Sequence, residues 1–96
     1  MTTIAKQFTH IAEDIAITST QVIAENHQRV WLLLVNDSDE TIYVKFGAAA
    51  VLNEGIRLNA EGGSLEISYE TGFIDGRAVN AIHGGSGTKR LLATWA

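Results

Sequence analysis

The apolar positions of the chain fall into two patterns. Near the start, Ile4, Phe8, Ile11 and Ile15 are spaced by four, three and four residues, the repeat of one helix face. Thr2 or Thr3 would cap such a helix. This predicts an N-terminal arm or short helix over residues 1–14, followed by a single domain over 15–96. The face Ile4, Phe8 and Ile11 then packs either on its own domain or on a neighbouring subunit.

From Ile15 the repeat shortens to that of strands. Ile15-Ala16-Ile17-Thr18 and Gln21-Val22-Ile23 are short β-prone runs, and Glu25-Asn26-His27-Gln28 reads as a turn. Arg29–Asn36 is the strongest run. Beyond the polar turn Asp37–Glu40, Thr41–Phe46 alternates and stops at Gly47. The short connection predicts that these two runs pair as an antiparallel hairpin. Gly55–Leu58, Ser64–Tyr69, Arg77–His83 and Lys89–Trp95 follow, with turns at Glu61-Gly62-Gly63 and Gly84-Gly85-Ser86-Gly87. Around Ser64–Tyr69, Leu65, Ile67 and Tyr69 share one side, and Glu66, Ser68 and Glu70 face water. Runs at roughly eight- to twelve-residue spacing with Gly-rich turns indicate an antiparallel β-sandwich, jelly-roll-like, of about seven or eight short strands.

In the strongest run, Val30, Leu32 and Leu34 lie on one face and Trp31, Leu33 and Val35 on the other. Both faces are apolar, whereas a half-solvated antiparallel strand alternates. Something must cover the Trp31 face: the N-terminal arm, a neighbouring subunit or a larger assembly. The last strand repeats the pattern more weakly, with Leu91, Ala93 and Trp95 opposite Leu92 and Thr94. The assembly candidates are therefore Ile4, Phe8, Ile11, Trp31, Leu33, Val35 and Trp95.

Composition narrows the possibilities. At 96 residues the chain suits one domain, and 46% apolar with 19% charged residues suits a globular one. So short a domain buries only about 60–65% of its unfolded surface, so partner surfaces would stabilise it. There is no cysteine, which removes disulfides and Cys-based zinc sites. No apolar run is long enough for a membrane helix, and residues 1–10 lack the pattern of a secretory signal. The expected site of synthesis is a cytosol. The net charge is −4, and the seven basic residues are scattered apart from Lys89-Arg90. That distribution argues against nucleic acid as a partner.

Candidate chemistry is thin. His10 and Glu13 have a His-x-x-Glu spacing that would share a helix face, but more ligands would have to come from His27 or His83, in separate turns or strand ends. Gly84-Gly85-Ser86-Gly87-Thr88-Lys89 differs from a phosphate loop, because Thr precedes Lys and a strand follows. None of Ser38, Ser64, Ser68 and Ser86 lies in a nucleophile elbow. Asp37, Asp39 and Glu40 are too few for a calcium loop. No catalytic residue, metal site or cofactor is expected.

The succession Asn26–Asn36, Ile42-Tyr43-Val44-Lys45-Phe46-Gly47, Gly55-Ile56-Arg57-Leu58, Gly62–Ile67 and Gly76–Ile82, closed by a Gly/Ser turn and a final strand, resembles a family of small phage virion proteins of the head or tail accessory, decoration type. Residues 1–14 lie outside this resemblance. The resemblance implies a compact β-sandwich with a structural role, found in the virion after synthesis in the host cytoplasm. It implies the major capsid protein or other virion proteins as partners, and no catalytic residues. Small virion parts usually sit on symmetry axes, so a homo-oligomer is expected, a trimer by preference. The alternative is a carbohydrate- or receptor-binding module of the particle, with Tyr43, Tyr69, Phe73 and Trp95 stacking on sugars from one groove.

Overall fold

The β-prone runs of the sequence become strands, but they pair with distant partners. The computed structural model describes residues 7–68 and 74–96. Its strands are β1 (Thr9–Ile15), β2 (Thr20–Ile23), β3 (Trp31–Asn36), β4 (Ile42–Phe46), β5 (Ile56–Leu58), β6 (Ser64–Ser68), β7 (Val79–His83) and β8 (Lys89–Trp95). Sheet I has the order β1-β8-β3-β6 and sheet II the order β2-β7-β4-β5. All pairs are antiparallel. The pairs β1–β8, β2–β7, β3–β6 and β4–β5 nest inside one another, so the chain is one long hairpin rolled into two sheets. That is the strand order of a jelly roll, and the expected antiparallel sandwich is present.

The inner faces supply the core: Ile15, Leu32, Leu34, Leu91 and Ala93 from sheet I, and Val22, Ile23, Ile42, Val44, Leu58, Val79 and Ala81 from sheet II. β3 shows the alternation most clearly. Leu32, Leu34 and Asn36 are buried, while Trp31, Leu33 and Val35 are half-exposed on the outside.

Three sequence expectations change. The first is the N-terminal helix. Residues 9–15 instead form strand β1, paired along its whole length with β8. The four-three-four spacing of apolar residues does not survive, because a strand alternates its side chains. Ile15 becomes core and Ile11 packs against it, while Phe8 is 57% exposed. Ile4 lies outside the described residues. From Thr9 onward, then, the expected arm is an integral part of sheet I. The run Ile15–Thr18, read as a strand, is where β1 ends and the turn to β2 begins.

The second change concerns the hairpin. β3 and β4 are neighbours in sequence but lie in different sheets. Asn36, fully buried, explains the crossing. Its Nδ2 donates to the carbonyls of Glu40 (2.7 Å) and Leu58 (3.0 Å), and its Oδ1 accepts from the Ser38 hydroxyl (2.6 Å). The polar turn is thereby bent across the roughly 10 Å gap between packed sheets rather than back along β3. Gly84–Gly87 likewise joins sheets rather than closing a hairpin. Thirdly, Ser68, expected to face water, is buried at the position paired with Trp31; Tyr69 and Glu70 lie outside the described residues.

Arg29 serves the opposite end of the sandwich. It is 1% exposed. Its Nη2 donates to the carbonyls of Asp75 and Arg77 at 2.8 Å each, with a longer contact from Nη1 to Ala24 at 3.5 Å. The backbone bond from Asn26 N to Gly76 O (2.7 Å) joins the same two connections. Burial lowers the guanidinium pKa, and the charge of Asp75 acts in the opposite sense. The group still stays protonated, as an arginine does in proteins.

Two outcomes follow. Deleting residues 1–13 removes most of β1 and the Ile11 contact, and is expected to cost a few kcal/mol and lower the melting temperature by roughly 10 °C or more. A thermal melt identical to the full chain would show that β1 contributes nothing. Arg29→Leu leaves the Asp75 and Arg77 carbonyls unpaired and should destabilise by about 2–5 kcal/mol. Denaturant titration checks this value.

Candidate assembly surface

The outer face of sheet I is built by register. His10 pairs with Thr94, Thr94 with Leu33, and Leu33 with Glu66. One row along, Ala12 pairs with Leu92, Leu92 with Val35, and Val35 with Ser64. Trp31 stands at one end of this face with Phe8 edge-on against it, ring centroids 5.1 Å apart. The Trp31 indole N–H donates to Glu66 Oε2 at 2.7 Å, and His10 Nδ1 lies 2.9 Å from the Thr94 hydroxyl. Trp31, Leu33, Val35 and Leu92 are all half-exposed. The result is an apolar strip across the middle strands, bordered by His10, Glu66 and Ser64.

The structure separates the sequence candidates. Phe8, Trp31, Leu33 and Val35 meet on this outer face. Ile11 and Trp95 lie in the inward rows and pack against the core. Phe8, the last described residue of the expected arm's apolar set outside β1, covers part of Trp31 within the same chain. Leu92 belongs to the strip but was not among the candidates. Its signal was present in the last strand, where Leu92 and Thr94 oppose Leu91, Ala93 and Trp95.

The expected aromatic groove is not assembled from the residues described. Tyr43 is paired with Ile82 and Arg57 on sheet II, where its hydroxyl lies 2.9 Å from Asn53 Oδ1, while Trp95 is in sheet I. Tyr69 and Phe73 lie outside the described residues.

The histidines also disperse. In β1, His10 and Glu13 fall on opposite faces, because a three-residue step in a strand changes sides. His27 is exposed beside Glu25 at 3.4 Å. His83 is fully buried at the end of β7. Its Nδ1 accepts from the Gly85 N–H (3.1 Å) and its Nε2 donates to the Gly87 carbonyl (2.8 Å). These roles define a neutral ring protonated at Nε2, committed to the turn between β7 and β8. Among the described residues, no three His, Cys, Asp or Glu side chains gather as metal ligands do.

Among the described residues, shallow grooves flank the sandwich on two sides. One, of about 500 Å³, is lined by Val44, Phe46, Ile56 and the Asp75–Arg77 pair. The other, of about 340 Å³, lies between Val22–Asn26 and Trp95. No protein-family model matches this chain, and no curated protein matches its sequence. Its class is therefore defined by its architecture: a small jelly-roll sandwich with an apolar strip on one outer face.

Asp75 offers a measurable electrostatic signature. The Arg77 side chain donates to both of its oxygens, from Nε at 3.0 and 3.2 Å and from Nη2 at 2.7 Å. These hydrogen bonds hold the carboxyl below its usual pKa. A depressed folded-state pKa contributes stability above the unfolded value of about 3.9, and that stability is lost as pH falls through the folded value. Because Arg77 is largely exposed, solvent screening keeps the contribution small. Asp75→Asn should therefore lose less stability than the parent between about pH 5 and 2. Urea titrations of both proteins across that range would reveal an unchanged slope if the pair contributes nothing.

Proposed function

We propose that this chain is a non-enzymatic phage virion protein that binds a capsid surface, or a neck or tail surface, in many copies and reinforces it. The observation that carries the reading is the outer face of sheet I. Phe8, Trp31, Leu33, Val35 and Leu92 give it an apolar strip on strands whose inner faces already form the core. A contiguous apolar strip with a polar border is the anatomy of a protein interaction surface. The resemblance of the stretch from about Gln28 to Leu92 to small virion proteins supports the choice of partner. The two grooves are shallow and open, which favours surface binding over chemistry in an enclosed site.

A second reading, a glycan- or receptor-binding module of the particle, is favoured by the Phe8–Trp31 aromatic pair. Glu66, His10 and Thr94 stand close to it with polar groups for sugar hydroxyls.

Leu33→Lys tests the first reading. Leu33 is half-exposed and its cross-strand neighbour is Glu66, so the variant keeps its fold. Placing a charge mid-strip should weaken cosedimentation with expanded phage capsids by about tenfold or more. Normal capsid binding by the folded variant would sink the proposal. Binding to a glycan panel in place of capsids, lost in Trp31→Ala, would favour the second reading.

A further inference from the structure

The described sheet edges are unequal. β5 offers three residues, and β2 offers four with a register shift between Gln21 and Ile23 against β7. β6 offers five. β1 offers seven, with unbroken register against β8. Among the described residues, no strand pairs with its far side. A long regular edge presents a row of unpaired N–H and C=O groups, a template for another strand, whereas short or bulged edges resist pairing. β1 also contains no proline.

We propose that a second copy of this chain pairs antiparallel with β1 about a two-fold axis at Ala12, joining the two copies of sheet I into one eight-stranded sheet. The polar side chains of β1 select both the occupant and the register. With the axis at Ala12, His10 of each copy stands opposite Asp14 of the other, so an imidazole and a carboxylate that can hydrogen-bond face each other across the seam twice. Moving the axis to Glu13 sets that carboxylate against its own copy. Moving it to Ile11 sets Asp14 opposite Phe8 and Glu13 opposite Thr9, and leaves both charges unmatched.

Side-chain size agrees with this register. Ala12 is exposed on the outer face, so nothing bulky stands at the axis. It is paired with Leu92, which is paired with Val35. The row Val35–Leu92–Ala12 therefore continues into Ala12–Leu92–Val35 of the second copy, and the apolar strip runs unbroken through the axis. Glu13, on the inward row, is the feature that resists pairing, since inward charges protect edges. About Ala12 the two Glu13 side chains lie on opposite sides of the axis, each across from Ile11 rather than from each other. An isologous pair of this kind replaces the threefold expected of small virion parts, and it stands whether or not the strip meets a capsid.

Analytical ultracentrifugation of the full chain across a range of concentrations should show a monomer–dimer equilibrium. Ala12→Lys sets two ammonium groups at the axis without touching the core. It should raise the dimer dissociation constant by about tenfold or more, with an unchanged circular dichroism spectrum. The chain has no cysteine, so Ala12→Cys provides a clean geometric probe. Directly opposed antiparallel residues have Cα atoms about 4.5–5.5 Å apart, within disulfide range, so oxidation should link two copies through this position. Ala49→Cys, in the exposed β4–β5 connection, should remain unlinked. A chain that stays monomeric, a trimer, or a dimer indifferent to Ala12→Lys and not linked in Ala12→Cys would overturn the proposal. Leu33→Lys with Ala12 intact should still dimerise, which separates this edge from the capsid-binding strip.

Discussion

Carrying the backbone between two sheets without stranding its polar groups is the constraint on which the rest of this structure depends. Six of the seven connections change sheets; only β4 to β5 does not. Buried backbone groups must find partners, and three buried polar side chains provide them at the crossings. Arg29 ties the β2–β3 connection to the β6–β7 connection. Asn36 ties the β3–β4 turn to the end of β5. His83 closes the β7–β8 turn on itself, and its own backbone N–H reaches the Ala16 carbonyl, just past β1. Between these polar ends the core is purely apolar, so the ends set the connectivity and the middle supplies the driving force.

β8 is where connectivity becomes packing. The last strand lies between β1 and β3, and it cannot dock until most of the chain has been synthesised. Its inner residues Leu91 and Ala93 close the core, while Leu92 on the other side joins Val35 and Ala12 in the outer strip. One strand therefore serves both the stability of the domain and the surface read as functional. Substitutions on its two faces should separate these roles cleanly, because successive side chains point to opposite sides of a sheet.

The outer strip gains its meaning from what sheet II does differently. On sheet II, Tyr43 is tied to Asn53, and Asn80 Nδ2 donates to the Ala48 carbonyl at 2.7 Å. The Ala50 N–H donates to the Ser19 hydroxyl at 2.8 Å. The β4–β5 connection thus lies over that sheet, and Ala50 within it is buried. No described segment covers sheet I in the same way beyond the contact of Phe8 with Trp31. Among the described residues, the outer face of sheet I is therefore the more open of the two, in keeping with the proposed assembly role.

Much of this was legible from the sequence alone. Strand runs after residue 19, their turns, the two apolar faces of Arg29–Asn36 and the all-β class follow from local alternation and turn chemistry, which are properties of neighbouring residues. The first strand was not legible. Ile4, Phe8, Ile11 and Ile15 fit a helical repeat as well as any strand, and only pairing with β8, some eighty residues away, decides for the strand. The separation of β3 from β4 was equally hidden, because a short polar connection closes a hairpin or crosses between sheets with similar sequences. The buried amide of Asn36 decides which, through a carbonyl on β5. Trp95 shared the apolar signal of Trp31, yet alternation cannot say which face of a strand meets the core. Only the closing of one sheet over the other turned Trp95 inward and left Trp31 at the surface.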